Sequence, residues 1–203
     1  AVGGGVTTGA GAQLSGNVLT LNGQNASTLN TAITTLIANI SGAGQDLTVT
    51  EADNLEIGQG VSIGQDVTTN NGNISLSAGG DITLTGPITT EPLSPGGNVT
   101  LNAPNGLITG SGGVTTTNLD WVARSQPSDA TLKTNYQTLS AEVTGPGNSI
   151  KLLRDASLGL RKAVTDSGDI TIALGPGDAD LTISGDVSAG NGSNDVLMTV
   201  VSG

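Results

Sequence analysis

The chain is built from short apolar–polar–apolar triplets. Leu47-Thr48-Val49, Leu55-Glu56-Ile57, Val61-Ser62-Ile63, Ile74-Ser75-Leu76, Ile82-Thr83-Leu84, Val99-Thr100-Leu101, Ile170-Thr171-Ile172 and Leu181-Thr182-Ile183 all alternate with a period of two. That period puts Val, Ile and Leu on one face of a strand and Thr, Ser or Glu on the other. Gly, Asn, Asp and Pro, the residues of turns, fill the gaps between triplets. Strands this short suit neither ordinary hairpins nor a helical protein.

A longer period groups the triplets. The first apolar residues of successive units are Leu47, Ile74, Val99, Leu119, Ile150, Ile170 and Val196, giving steps of 27, 25, 20, 31, 20 and 26 residues. A coil of three short strands and three corners, with loops of varying length, is one rung of a parallel β-helix. Each rung pairs with the next, so inward Val, Ile and Leu stack on like residues while Thr, Ser and Asn face solvent. Tandem immunoglobulin-like sandwiches are the rival architecture, but they want longer strands and buried aromatics. The chain has only Trp121 and Tyr136. The prediction is therefore an all-β protein, a right-handed parallel β-helix (β-solenoid) of about seven irregular rungs with one short N-terminal helix.

That helix comes from a break in the pattern. In residues 26–45, Leu29, Ile33, Leu36, Ile37 and Ile40 follow helical spacing, with Ser27 or Thr28 as N-cap and Gly42 at the end. It is read as a cap across the open end of the coil. Residues 1–25 form a Gly-rich arm or first strand, of which 1–16 is suited to donation to another copy, and 46–203 form the solenoid. Leu119–Leu139 has weaker turn signals and predicts a larger, less regular rung. Trp121, alternating with Leu119 and Ala123, is read as core or half-buried.

Composition narrows the chemistry. The chain has 203 residues, no His, no Cys, 32 Gly and a net charge of −11. Without His or Cys, thiol nucleophiles, zinc fingers and a Ser-His-Asp relay are excluded. The acidic balance argues against nucleic acid, and no apolar run reaches the length of a helical membrane span. All six bases fall between Arg124 and Lys162, namely Arg124, Lys133, Lys151, Arg154, Arg161 and Lys162, flanked by base-free acidic stretches. This belt reads either as a dock for an acidic glycan or another copy, or as a chance cluster neutralised by local salt bridges.

Motifs add little. The pairs Glu51/Asp53 and Asp178/Asp180 place two carboxylates on one strand face, an arrangement Ca²⁺ accepts when further oxygens complete its shell. No calcium-loop pattern accompanies them, so they read as solvated surface acids. Asn-x-Ser/Thr at Asn25, Asn39, Asn73, Asn98 and Asn191 follows from composition. A polysaccharide-cleaving β-helix would draw its Arg, Lys and Asp from the stretch between Arg154 and Asp169, but sugar-stacking rings are scarce. No catalytic, cofactor-binding or metal-binding residue is assigned, and no cofactor is expected.

The segments NGNISLSAGGDITLTGPITT (71–90), GNVTLNAPNGLITGSGGVTTTNLDWVARS (97–125) and SGDITIALGPGDADLTISGDVSAGNGSNDVLMTV (167–200) resemble repeats of filamentous-haemagglutinin-like bacterial exoproteins. The resemblance, over residues 26–203, implies a secreted or cell-surface location and a non-enzymatic role in adhesion or structure. Neighbouring repeats, other copies, or host and matrix glycans or proteins would be the partners. The main alternative is a self-assembling filament subunit joined through strand edges. Its association surface would be the terminal apolar strand, Val196, Leu197, Met198, Val200 and Val201. A polysaccharide-active enzyme is the second alternative.

Overall fold

The computed structural model describes residues 4–58, 67–91, 96–127, 136–154, 156–175, 179–190 and 193–201; the Val61-Ser62-Ile63 triplet, Lys133, Asp178 and Asn191 lie outside them. In order, the strands are β1 (Leu14–Gly23), β2 (Ser27–Ala43), β3 (Leu47–Glu51), β4 (Leu55–Ile57), β5 (Val67–Asn70), β6 (Ile74–Ala78) and β7 (Ile82–Leu84). Then come β8 (Ile88–Glu91), β9 (Asn98–Ala103), β10 (Ile108–Gly110), β11 (Val114–Thr115), β12 (Asn118–Ala123) and β13 (Thr138–Val143). The last are β14 (Ile150–Arg154), β15 (Leu158–Thr165), β16 (Ile170–Leu174), β17 (Leu181–Ile183), β18 (Val187–Ser188) and β19 (Val196–Val200).

All pairings between these strands are parallel. One face stacks β2–β3–β6–β9–β12–β13–β15–β17, so about seven turns of chain separate its first strand from its last. A second face stacks β4, β7 and β10 on the middle of β2, and a third stacks β5, β8 and β11 on its end. Farther along, β14, β16 and β19 form a separate three-stranded sheet. The molecule is a parallel β-solenoid.

Inward residues stack in columns. Leu47, Ile74, Val99, Leu119 and Leu139 occupy one column in unbroken register, each 0% exposed. The neighbouring column runs Val49, Leu76, Leu101, Trp121, Ala141. The indole is 1% exposed and sits beside the small Ala141, which keeps the cross-section filled where the one large ring enters it. Trp121 is thus a core residue.

The structure corrects three expectations. Residues 27–43 form strand β2, not a helix. Thr31 and Ala38, 0% and 1% exposed, fill the alternate inward positions that helical spacing ignores, and Ile37 points outward. The alternation slips once, at Thr34–Thr35, where two successive residues face outward and the chain turns a corner. Seven β-branched residues in this segment disfavour a helix, and parallel partners on both edges hold the extended chain.

The 31-residue step is also wrong. Leu119 pairs with Leu139, a 20-residue turn, whereas Ile150 belongs to the other sheet. Leu119–Leu139 is therefore a short turn and not an enlarged one. Ahead of β1, the Val6 amide donates to Ser27 Oγ at 3.0 Å and the Thr8 amide donates to the Thr28 carbonyl at 3.0 Å.

Candidate functional site

The corners carry a repeated hydrogen-bonding device. An Asn, Asp or Ser stands just before the first inward residue of a strand, and its side-chain oxygen accepts the amide one turn later. At the first face, Asp46 Oδ1 accepts from Asn73 N–H at 2.7 Å, and Asn73 Oδ1 accepts from Asn98 N–H at 2.9 Å. The run continues side chain to side chain through Asn118 to Thr138. At the second face, Asn54 accepts from Asp81 N–H at 2.7 Å and Asp81 from Leu107 N–H at 2.8 Å. In the three-stranded sheet, Ser149 accepts from Asp169 N–H and Asp169 from Asp195 N–H, both at 3.0 Å. Ser157 accepts from Asp180 N–H at 2.9 Å.

These ladders satisfy corner amides that strand pairing leaves free. As turn formers, solvent-facing residues or surface acids, Asn and Asp give no hint of such a ladder by type alone. The signal was present, however, in Gly-(Asn/Asp)-apolar-(Ser/Thr)-apolar at 72–76, 80–84, 97–101 and 168–172. The glycine of that motif is needed by close approach: a Cβ on Gly97 would stand 1.9 Å from the Gly72 carbonyl oxygen of the turn before.

At the C-terminal turn the stack is open. Val196, Met198 and Val200 sit in register over Ile170, Ile172 and Leu174, which are 0%, 0% and 1% exposed. Yet Val196 is 46% and Val200 49% exposed, because among the described residues no strand covers them. Ile183, placed over the buried Leu160, is 47% exposed. Leu197 and Val201, also candidates for association, are 57% and 46% exposed. Four of the five candidate residues are therefore exposed, and Met198 is half-buried.

Three residues of the basic belt, Arg154, Arg161 and Lys162, are engaged within the molecule. Between Leu139 and Ser140 the β13–β15 register slips by one residue, making Arg161 the extra residue of a β-bulge. Arg161 and Lys162 consequently both reach the outer face, where Arg161 pairs with Asp120 and Lys162 with Glu142. The Arg154 guanidinium lies 4.2 Å from the Tyr136 ring centroid, and its Nη2 donates to the Tyr136 carbonyl at 3.1 Å. Lys151 is tied through its backbone to the Gln126 side chain, which stands in for a strand neighbour. Arg124 and Lys151 are exposed and form no ion pair among the described residues.

Beside Arg154 lies an open cleft of about 500 Å³, lined by Tyr136, Gln137, Ser157, Asp180 and Thr182. Its walls offer hydrogen-bond donors and acceptors to a polar molecule. Of the two acid pairs, Glu51 alone departs from a solvated surface position, Asp178 lying outside the described residues and Asp180 being exposed. Glu51 is 2% exposed and its carboxylate accepts from Ile33 N–H and Ala52 N–H, both at 2.9 Å, so it fastens a corner instead of facing solvent. Asp53 is exposed. Among the described residues, no three His, Cys, Asp or Glu side chains gather as a metal site would require. No protein-family model, curated protein or solved structure matches the chain.

Proposed function

We propose that the chain is a non-enzymatic structural and adhesive segment of a bacterial surface or secreted exoprotein. The observation that supports this reading is the continuity of the stack along one axis. Apolar columns, parallel backbone pairing and corner ladders all run in the same direction, which makes a stiff rod. Outward positions are mainly Thr, Ser and Asn, so the rod presents rows of hydroxyl and amide groups at the spacing of adjacent strands. Such rows suit multiple weak polar contacts with a glycan or protein partner.

Rigidity needs no cofactor in this reading, and buried groups such as Glu51 and Trp121 serve the scaffold. The test is immunogold labelling of intact source cells with antibodies raised against the chain. Label on the outer surface or in the culture medium is the expected result. Label seen only after permeabilisation overturns the assignment.

A further inference from the structure

The outer side of the first face is a net of short polar side chains. Thr28, Thr48, Ser75 and Thr100 form one column across β2, β3, β6 and β9. Asn30, Thr50, Ser77 and Asn102 form a second column two residues along the same strands. Both columns keep register over all four strands without a bulge. The groups therefore repeat at about 4.8 Å from turn to turn and about 6.6 Å along each strand. All eight side chains are exposed or half-buried. Among the described residues, none of the eight side chains hydrogen-bonds within the chain, whereas Asp46, Asn73 and Asn98 at the adjoining corner are used by the ladder.

None of the eight is charged and none is aromatic. The following strands end the net, with Asp120 and Val122 next in the columns on β12 and Ser140 and Glu142 on β13. Hydroxyl and carboxamide groups each donate and accept hydrogen bonds. The sheet backbone fixes their spacing, and β-branching restricts χ1 of the four threonines, so little rotamer freedom is lost on contact. A partner that matches this net must repeat in two directions and meet donors and acceptors at every point. A single glycan chain repeats in one direction, and its sugars stack on aromatic rings that the net lacks. The surface of ice repeats in two directions, and its water molecules donate and accept with proton positions that vary from site to site. On the prism face of ice the oxygens form a rectangular net whose spacings are close to those of the two columns.

We infer that the outer face of β2, β3, β6 and β9 binds ice, its two columns taking up positions of the water lattice. The inference goes beyond the rod reading and does not rest on it, since the net lies on the side of the stack wherever the protein is located. Freedom from charge matters here, because an ammonium group is strongly hydrated and holds water in its own arrangement. Each hydroxyl contact is weak, and binding comes from many engaging at once on a rigid support.

Ice-affinity partitioning and ice recrystallisation assays on the full chain test this. The expected result is enrichment of the protein in slowly grown ice and restraint of grain growth, at concentrations where a globular protein of similar mass does neither. Thr48→Lys and Thr100→Lys each put a charge in the net and should raise the concentration needed by about tenfold. Thr171→Lys makes the same change on the outer side of the three-stranded sheet and should leave the activity as it was. Circular dichroism establishes that each variant is folded. A wild-type chain excluded from ice like the control protein overturns the inference, as does an equal loss in all three variants. Retention on crystalline cellulose without any effect on ice, lost in Thr48→Lys and Thr100→Lys, overturns it in favour of a glycan lattice. Immunogold labelling of cells decides the surface assignment separately, so either reading can fail alone.

Discussion

Ile170 and Val196 occupy the same inward position on consecutive turns and pair in register, yet one is 0% and the other 46% exposed. Leu174 and Val200 differ in the same way, 1% against 49%. The strands themselves do not separate them, since ITIAL and VLMTV both place an apolar residue at every inward position. Burial in this fold belongs to the turn having a neighbour on each side, not to the strand itself. An interior turn is sealed by the turns above and below, whereas a terminal turn carries the same side chains as an unfinished surface.

The largest expected effect breaks that comparison most directly. Leu101 is 0% exposed and lies between Leu76 and Trp121 in its column. Leu101→Ala should cost about 3 kcal/mol, from lost transfer energy and the cavity left between fixed neighbours. Val200→Ala removes comparable atoms from a half-wet position and should cost within about 0.5 kcal/mol. Chemical denaturation followed by circular dichroism measures both. Equal losses would mean that the terminal turn is covered in solution, which the same variants examined at several concentrations would reveal.

How far the sequence disclosed this organisation depends on which residues carried the pattern. Period-two triplets such as Ile74-Ser75-Leu76 and Val99-Thr100-Leu101 revealed the strands and the first-face register, because each inward residue stacks on a like residue one turn away. The pattern misled where inward positions are filled by small or polar side chains. Thr31 and Ala38 hid the alternation of β2 and left a helical period among the larger residues. Thr138-Leu139-Ser140-Ala141, with Ala141 opposite Trp121, is too weakly apolar to mark β13, and the next strong apolar signal, Ile150, lies on another face. The exposed terminal strand was legible from its apolar run, but the corner ladders that reach Asp180 and Asp195 were not. Their meaning depends on a turn-to-turn geometry that a linear reading does not contain. Likewise, the belt is continuous in sequence, while the fold divides it among Asp120, Glu142 and the Tyr136 ring.

The ladders sharpen the comparison on a smaller scale. Asp81 accepts the Leu107 amide of the next turn, while Asp195 has no turn above it among the described residues. Asp81→Ala should destabilise by about 1 kcal/mol, because the partner amide then relies on water at a half-open corner. Asp195→Ala should be close to neutral in the monomer. Denaturation midpoints of the two variants check this, and matching losses would contradict a ladder that acts only through the following turn.

The smallest effect concerns the outer surface, where stacking imposes no difference between interior and end. Arg161 and Asp120 pair across two turns with side chains 38% and 33% exposed, so solvent and salt weaken their attraction. Asp120→Asn should lower stability by only about 0.5 kcal/mol at low ionic strength, and the difference should shrink towards zero in concentrated salt. A larger, salt-insensitive loss would show that the bulge at Arg161 depends on the ion pair. The short 2.9 Å amide contacts of the corner ladders and the closed apolar columns argue otherwise, for they fix the register of the turns without the pair. The bulge sets two cations on one face, and the acids then take what the backbone has already placed within reach.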